Sequence, residues 1–500
     1  MNCIYSIIIS MSIFGQVAEN PKTAGSIQPD ASLQIQAGLE LLRQGDRAAD
    51  NGEIHQAQIK YQAAMEKLLP GIRHKPFKNT VKRDETPREK LGQVLVEEWE
   101  KEVTPEEFKI DEATWKVMNL IPQDFDLKSA YIKLLTEEVA AFYDPKTKTM
   151  HLIREPEKTP DNKPKKPASL LEMIMGRDQG FDKAEAQGVI AHELTHALDD
   201  QHFDLDAMSQ AVIDDDDATL ALSALMEGEA TLTMMAVGQS DWTGNQIIST
   251  PAEGLNRVMR WITPFMPMTG GAASKKSPPV MVESLIFPYL QGLVFCASLT
   301  NQGGWPALDR AYENPPVSTE QIIHPEKYQG PKRDWPMSIK LGVFKTPDGF
   351  KQLGESVLGE LTIRILLSQN GGRNAAAGWD GDTLSVFESL SEKNKFACVW
   401  MTTWDTAQDA YEFTSGISKQ WKSDKSPAFT DQKPVDGNLR FVSGDLIVEM
   451  RGMDVIVTRG FKPDEASGVM NSIWANSKKT EKQFDWASAR LKASKSRMKN

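Results

Sequence analysis

The sequence predicts an α+β protein, on three observations. Up to about residue 335 the apolar residues recur mainly at helical spacing. Beyond Pro336 short alternating runs take over, and they fall in adjacent pairs with helical stretches between them, the pattern of hairpins packed with helices. A chain of 500 residues has room for two or three such units, each with its own core. With 40% hydrophobic and 25% charged residues, disorder is excluded as the general state. A formal net charge of −12 works against a phosphate-tracking surface, so nucleic acid is not an expected partner.

Met1 to Phe14 is apolar, with Ile7, Ile8 and Ile9 at its centre. It suits the apolar region of an export signal cleaved after Ala18, and residues 1–30 are read as that signal and a linker. A periplasmic or extracellular location follows, with the cytoplasm as the alternative. No later segment carries the run of roughly 18 apolar residues that a bilayer requires, so no stable membrane span is expected. Cys3, Cys296 and Cys398 lie too far apart for a disulfide framework or a zinc knuckle.

From Ser32 to Pro70 helical spacing is broken by Asn51-Gly52, which predicts two helices and a turn over residues 31–75. Ala57, Tyr61 and Ala64 give the second helix a tetratricopeptide-like pattern; one such hairpin cannot bury its own face and must pack on the rest of the chain or on a protein partner. Arg73 to Pro87 reads as a polar linker. A larger domain, 88–335, is helical to about Ala140, turns at Phe142 to Thr149 and forms a short strand, Met150 to Ile153. Pro156 to Pro167 reads as a loop, Asp182 to Gln201 as a helix, and Ala218 to Val237 as another that Asp214 to Asp217 cap. Trp242 to Ser277 bears Pro and Gly, and Val280 to Leu299 reads as a buried helix. In the third unit, 336–485, a helix spans Gly354 to Leu367. Strands follow near Thr383 to Phe387, Phe396 to Thr402, Leu439 to Val442, Leu446 to Arg451 and Asp454 to Thr458, with helices at Thr406 to Trp421 and from Pro463. Residues 486–500 read as a basic tail.

The chemistry lies in His192-Glu193-Leu194-Thr195-His196, an H-E-x-x-H pentad. Residues four apart share a helix face, so both imidazoles can reach one metal ion while Glu193, about 100° round, addresses a water on it. Zinc makes that water acidic near neutral pH and the carboxylate takes its proton. A third protein ligand is needed. His202, ten residues after His192, has metzincin spacing, but Asp199 stands where that class has Gly. Glu227 sits on the next long helix among small residues, Ser223, Ala224, Ala230 and Thr231, that allow close approach. Glu229 has bulky neighbours, Leu222, Leu225, Met226 and Leu232, and would be buried without an obvious partner unless it supports the ligands.

His192 to Ala197 reads HELTHA, as in thermolysin-like enzymes, with Asp200 where that group also has Asp; Glu227-Gly228-x-Ala230 is similar to the stretch in which gluzincin aminopeptidases place their third ligand. The chain thus resembles a gluzincin. The resemblance implies a zincin-like catalytic domain with a short strand lining the cleft, Zn2+ on His192, His196 and Glu227, and Glu193 as base. Longer strings, among them Phe142 to Lys148, His192 to Leu205, Phe287-Pro-Tyr and Pro315 to Tyr328, are similar to uncharacterised bacterial HExxH proteins. A donor for the developing oxyanion is sought among His324, Tyr328, Tyr143 and His202, with His324 and Tyr143 carried as catalytic candidates.

The leading expectation is therefore a secreted zinc metallopeptidase acting on peptides or proteins. A zinc hydrolase of a non-protein amide or ester shares the same chemistry. An interaction protein with a structural metal is the alternative of another class, and it would need a closed set of four ligands.

Overall fold

In the computed structural model Asn51-Gly52 ends one helix and starts the next: α1 (Pro29–Asp50) and α2 (Ile54–Arg73) pack together across a turn in which Gly52 has a φ of +80°, open to a residue without Cβ. The structure describes residues 29–102, 104–138, 141–154, 183–262, 276–368, 372–421 and 437–497. The apolar start at Met1 to Phe14 and the loop Pro156 to Pro167 lie outside them. Of the Trp242 to Ser277 stretch, the described part contains a helix, Ala252–Ile262.

The linker expected from Arg73 to Pro87 is a correction, because Lys82–Pro87 forms strand β1. It runs parallel to β3 (Thr149–Arg154), which is antiparallel to β2 (Ala141–Asp144), in the order β1-β3-β2. Backbone pairing holds β1, whose sequence Lys-Arg-Asp-Glu-Thr-Pro has no alternating apolar residues, so apolar periodicity could not disclose it. A consequence reaches the cleft expectation. The strand expected at Met150 to Ile153 exists, but its backbone is paired on both sides, leaving no edge there for an extended substrate.

Helix α3 (Arg88–Glu102) packs on this small sheet and α5 (Leu127–Glu138) on α3, whereas α4 (Pro105–Val117) packs on a larger sheet formed by residues beyond 350. Behind the small sheet lie α6 (Lys183–Phe203), α7 (Leu205–Val212) and α8 (Asp216–Gly238). Asp215 caps α8 by accepting from the Ala218 amide, the role expected of the acid run. After α9 (Ala252–Ile262) comes α10 (Pro279–Glu313), longer than expected because it continues through a non-helical step at Gly303-Gly304. Both α8 and α10 are long and apolar enough to cross a membrane by length and average composition, although Glu227 and Glu229 interrupt the first and Glu283 the second. Inside the fold they are 94% and 89% buried over their apolar windows, and an all-round apolar surface is what a central core helix needs.

Two short helices, α11 (Thr319–Ile323) and α12 (Pro325–Gln329), lead to β4 (Met337–Lys340). The helix expected over Gly354 to Leu367 is instead strand β5 (Phe350–Ser356) followed by α13 (Gly359–Ser368). Leu353, Val357 and Leu361 have helical spacing, but the chain turns at Gly359, whose φ is +72° and whose missing Cβ leaves room for the Asp217 carboxylate. A six-stranded antiparallel sheet follows, in the order β5-β6-β7-β10-β9-β8. Its further strands are β6 (Trp379–Ser389), β7 (Phe396–Trp404), β8 (Asn438–Ser443), β9 (Leu446–Arg451) and β10 (Asp454–Arg459). Helix α14 (Ala407–Trp421) covers one face and α15 (Pro463–Asn476) the other. Strand β11 (Lys478–Glu481) returns to pair with β4.

Residues 486–500 are not only a tail: Trp486–Arg497 is helix α16, packed on α7 with Trp486 buried and Arg490 donating to the Tyr312 carbonyl. One hydrophobic core runs from Leu68 in the hairpin through α8 and α10 to Trp400 in the large sheet.

Candidate metal centre

Helix α6 is buried from Gly188 to Asp200, so the pentad faces protein on every side. The one-turn offset of His192 and His196 brings their rings edge to face, with centroids 4.8 Å apart. From α8, Glu227 Oε2 comes within 2.9 Å of His192 Nε2 and 3.5 Å of His196 Nε2. The ligand-capable atoms of the three residues all lie within 4.8 Å of one another. In a tetrahedral zinc site with bonds of about 2.0–2.2 Å, neighbouring ligand atoms stand about 3.4 Å apart, so the observed spacings suit a cation between them.

Chemistry agrees with that geometry. His196 is 1% exposed, yet neither ring nitrogen has a hydrogen-bond partner among the described residues. Burial without a partner is costly for a polar ring, and a metal ion would supply the missing partner. Burial also holds both imidazoles below their ordinary pKa, hence neutral, the form that binds metal. The Glu227 carboxyl is pushed up to about 7, foremost by burial and against the pull of His192; a dication beside it would favour the ionised form.

Glycine decides how closely the helices meet. A Cβ on Gly228 would lie 2.2 Å from the Gly292 carbonyl carbon, and one on Gly292 would lie 2.1 Å from the Ala224 oxygen, so α8 and α10 touch backbone to backbone. The contact sets Tyr289, one turn before Gly292, beside the centre. Its ring stacks on His192 with centroids 6.1 Å apart, and its hydroxyl hydrogen-bonds Glu227. Sequence reasoning did not single out Tyr289 as a site residue. The signal was the hydroxyl itself, which needs a partner when carried on a helix otherwise lined by apolar residues.

The other candidates are placed elsewhere. Glu229 forms a buried ion pair with Arg73, the partner the sequence reading did not find. His202 Nε2 meets the Pro76 carbonyl at 2.9 Å. Tyr143 is buried on β2 and its hydroxyl donates to Asp200 Oδ2 at 2.7 Å. Asp200 also holds Lys148 and the Leu205 amide, bracing the far end of α6. His324 Nε2 is 3.1 Å from Glu360 Oε1, at the junction with α13. Tyr328 donates to the Asn314 carbonyl and stacks under Arg333. The structure thus gathers His192, His196 and Glu227, with Glu193 on the same buried helix, and gives His324 and Tyr143 partners outside that group.

Comparison with known proteins bears on the large sheet rather than on these residues. Residues 348–470 match a family described as Domain of unknown function (DUF8575), a span that runs from β5 into α15. No curated protein and no solved structure matches the chain.

Proposed function

We propose that the chain is a zinc-dependent hydrolase of the gluzincin metallopeptidase type, cleaving peptide bonds. One observation carries the reading: two imidazoles on α6 and a carboxylate thirty-one residues further along the chain converge with metal-ligand spacing in a buried setting. His192, His196 and Glu227 would hold the ion, and the negative charge of Glu227 would offset part of its charge. A zinc ion held there would supply Lewis acidity, enough to polarise a carbonyl and to make water acidic near neutral pH. The Glu193 carboxylate would serve as the base, accepting the proton of the attacking water and returning it to the departing amine. Tyr289 orients Glu227 through its hydroxyl. The same groups would serve a non-protein amide or ester equally well, so the choice of a peptide rests on the likeness of HELTHA and Glu227-Gly228-x-Ala230 to peptidase strings.

A second reading has its own support. His192, Glu193, His196 and Glu227 are at most 1% exposed, as in a metal that stiffens a fold. Against it, the cluster among the described residues offers three ligands, where a structural zinc takes four.

Metal analysis and cleavage of a peptide library by purified wild type, Glu193→Gln and Glu227→Ala separate the two. Hydrolysis predicts zinc retained and cleavage lost by about 100-fold or more in Glu193→Gln, and zinc lost in Glu227→Ala. Cleavage at wild-type rates by both variants would sink the proposal. Zinc bound by a wild type that cleaves nothing would favour the structural reading.

A further inference from the structure

Arg73, the last residue of α2, is fully buried. Its guanidinium pairs with Glu229, lies 3.6 Å from Asp199 Oδ1 and 3.4 Å from Asp309 Oδ1, and stacks over Trp305 at 4.3 Å. Glu229 is two residues beyond Glu227 on α8, and Asp199 is three beyond His196 on α6. One cation from the N-terminal hairpin therefore touches both helices that carry the ligand set.

We infer that Arg73 is a positioning residue for the metal centre, so that docking of the hairpin and binding of zinc are coupled; this rests on the zinc reading above. A metal site tolerates ligand displacements of only about 0.2 Å, so the separation of α6 and α8 must be held firmly. Arg73 does so through Nη2, which pairs with Glu229 of α8 and lies 3.6 Å from Asp199 of α6, so one positive charge faces carboxylates from both helices. Without it, Asp199 and Glu229 would be two buried acids on neighbouring helices with only Lys75, itself paired with Asp309, as a nearby cation, and their repulsion and need for water would drive the helices apart. Lysine carries the charge but not the planar group that stacks over Trp305. Groups behind the ligands commonly change metal affinity by about 10–100-fold, the range expected here. Linkage makes the effect reciprocal: zinc must hold the hairpin more firmly in place.

The test is zinc affinity of the full-length protein, measured by competition with a chromophoric chelator, for wild type, Arg73→Met, Arg73→Lys, Glu229→Gln and Met65→Ala. Met65 is buried within the hairpin and has no part in the charge cluster. Arg73→Met should lose about 10–100-fold in affinity, with Arg73→Lys and Glu229→Gln between it and wild type, while Met65→Ala changes it less than about 3-fold. Should Arg73→Met fail to fold, the Lys and Gln variants still decide. In parallel, zinc should slow proteolysis between residues 74 and 80 in the wild type. Equal losses in Met65→Ala and the Arg73 variants would reduce Arg73 to an ordinary packing residue and overturn the inference. So would unchanged affinity in every variant alongside a zinc-binding wild type. A wild type with no zinc affinity overturns the metal reading itself and this inference with it.

Discussion

Replacing Gly292 by alanine tests the helix crossing on which the centre depends. The new Cβ would stand 2.1 Å from the Ala224 oxygen and 2.9 Å from its carbonyl carbon. Both are backbone atoms of a buried helix, so no side chain can swing aside. Reaching ordinary contact near 3.4 Å requires α8 and α10 to part by about 1.3 Å, which would also draw Tyr289 away from Glu227. Helix propensity alone would favour alanine by about 1 kcal/mol, whereas overpacking costs about 1–3 kcal/mol and lies at the upper end where backbone meets backbone. We expect a net loss of about 2 kcal/mol, read as a lower urea midpoint at unchanged slope. Gly238→Ala is the control, because its Cβ would meet nothing within 4 Å and the change should be neutral or stabilising. If Gly292→Ala proves as stable as Gly238→Ala, the argument from close approach is wrong.

Further outcomes follow from individual contacts. Tyr289→Phe removes the hydroxyl on Glu227 and should weaken zinc binding about 10-fold with the fold intact, measured by chelator competition; unchanged affinity would show that Glu227 is held without it. Tyr143→Phe deletes a buried hydrogen bond to Asp200 and should cost about 1–3 kcal/mol in unfolding, with zinc affinity preserved; a selective loss of zinc would place Tyr143 in the centre after all. Asp217 is buried beside Thr319, Asp215 and Lys482, and burial pushes its carboxyl up to about 7. A folded pKa above the unfolded value near 3.9 gives stability that is complete below about pH 4 and is lost as pH rises through 7. From pH 5 to 8 the wild type should therefore lose on the order of 3 kcal/mol relative to Asp217→Asn; parallel pH profiles would contradict the assignment.

The α+β class and most elements were legible in the sequence because their signals are local. Asn51-Gly52 marked the hairpin turn, and alternating runs located β6 to β10 to within a few residues at each end. Where the reading failed, a distant partner overrode or supplied the pattern. β1 owes its existence to the backbone of β3, and the helical spacing at Leu353 to Leu361 yields to a turn shaped around Asp217. Trp486–Arg497 looks like a basic tail until α7 is there to receive it.

The site divides in the same way. His192, Glu193 and His196 are related by one turn of a single helix, a spacing written into consecutive residues and unaffected by anything far away. Of the two acids on α8, the small residues around Glu227 favoured it as third ligand, while the bulky neighbours of Glu229 left that acid buried with no partner in view. The tertiary structure set them apart: backbone contact between α8 and α10 turns Glu227 toward the imidazoles, and the hairpin delivers Arg73 to Glu229. Those contacts join residues 64 and 156 positions apart, and the strength of a contact at such separation depends on how whole helices cross, which no short window of sequence contains.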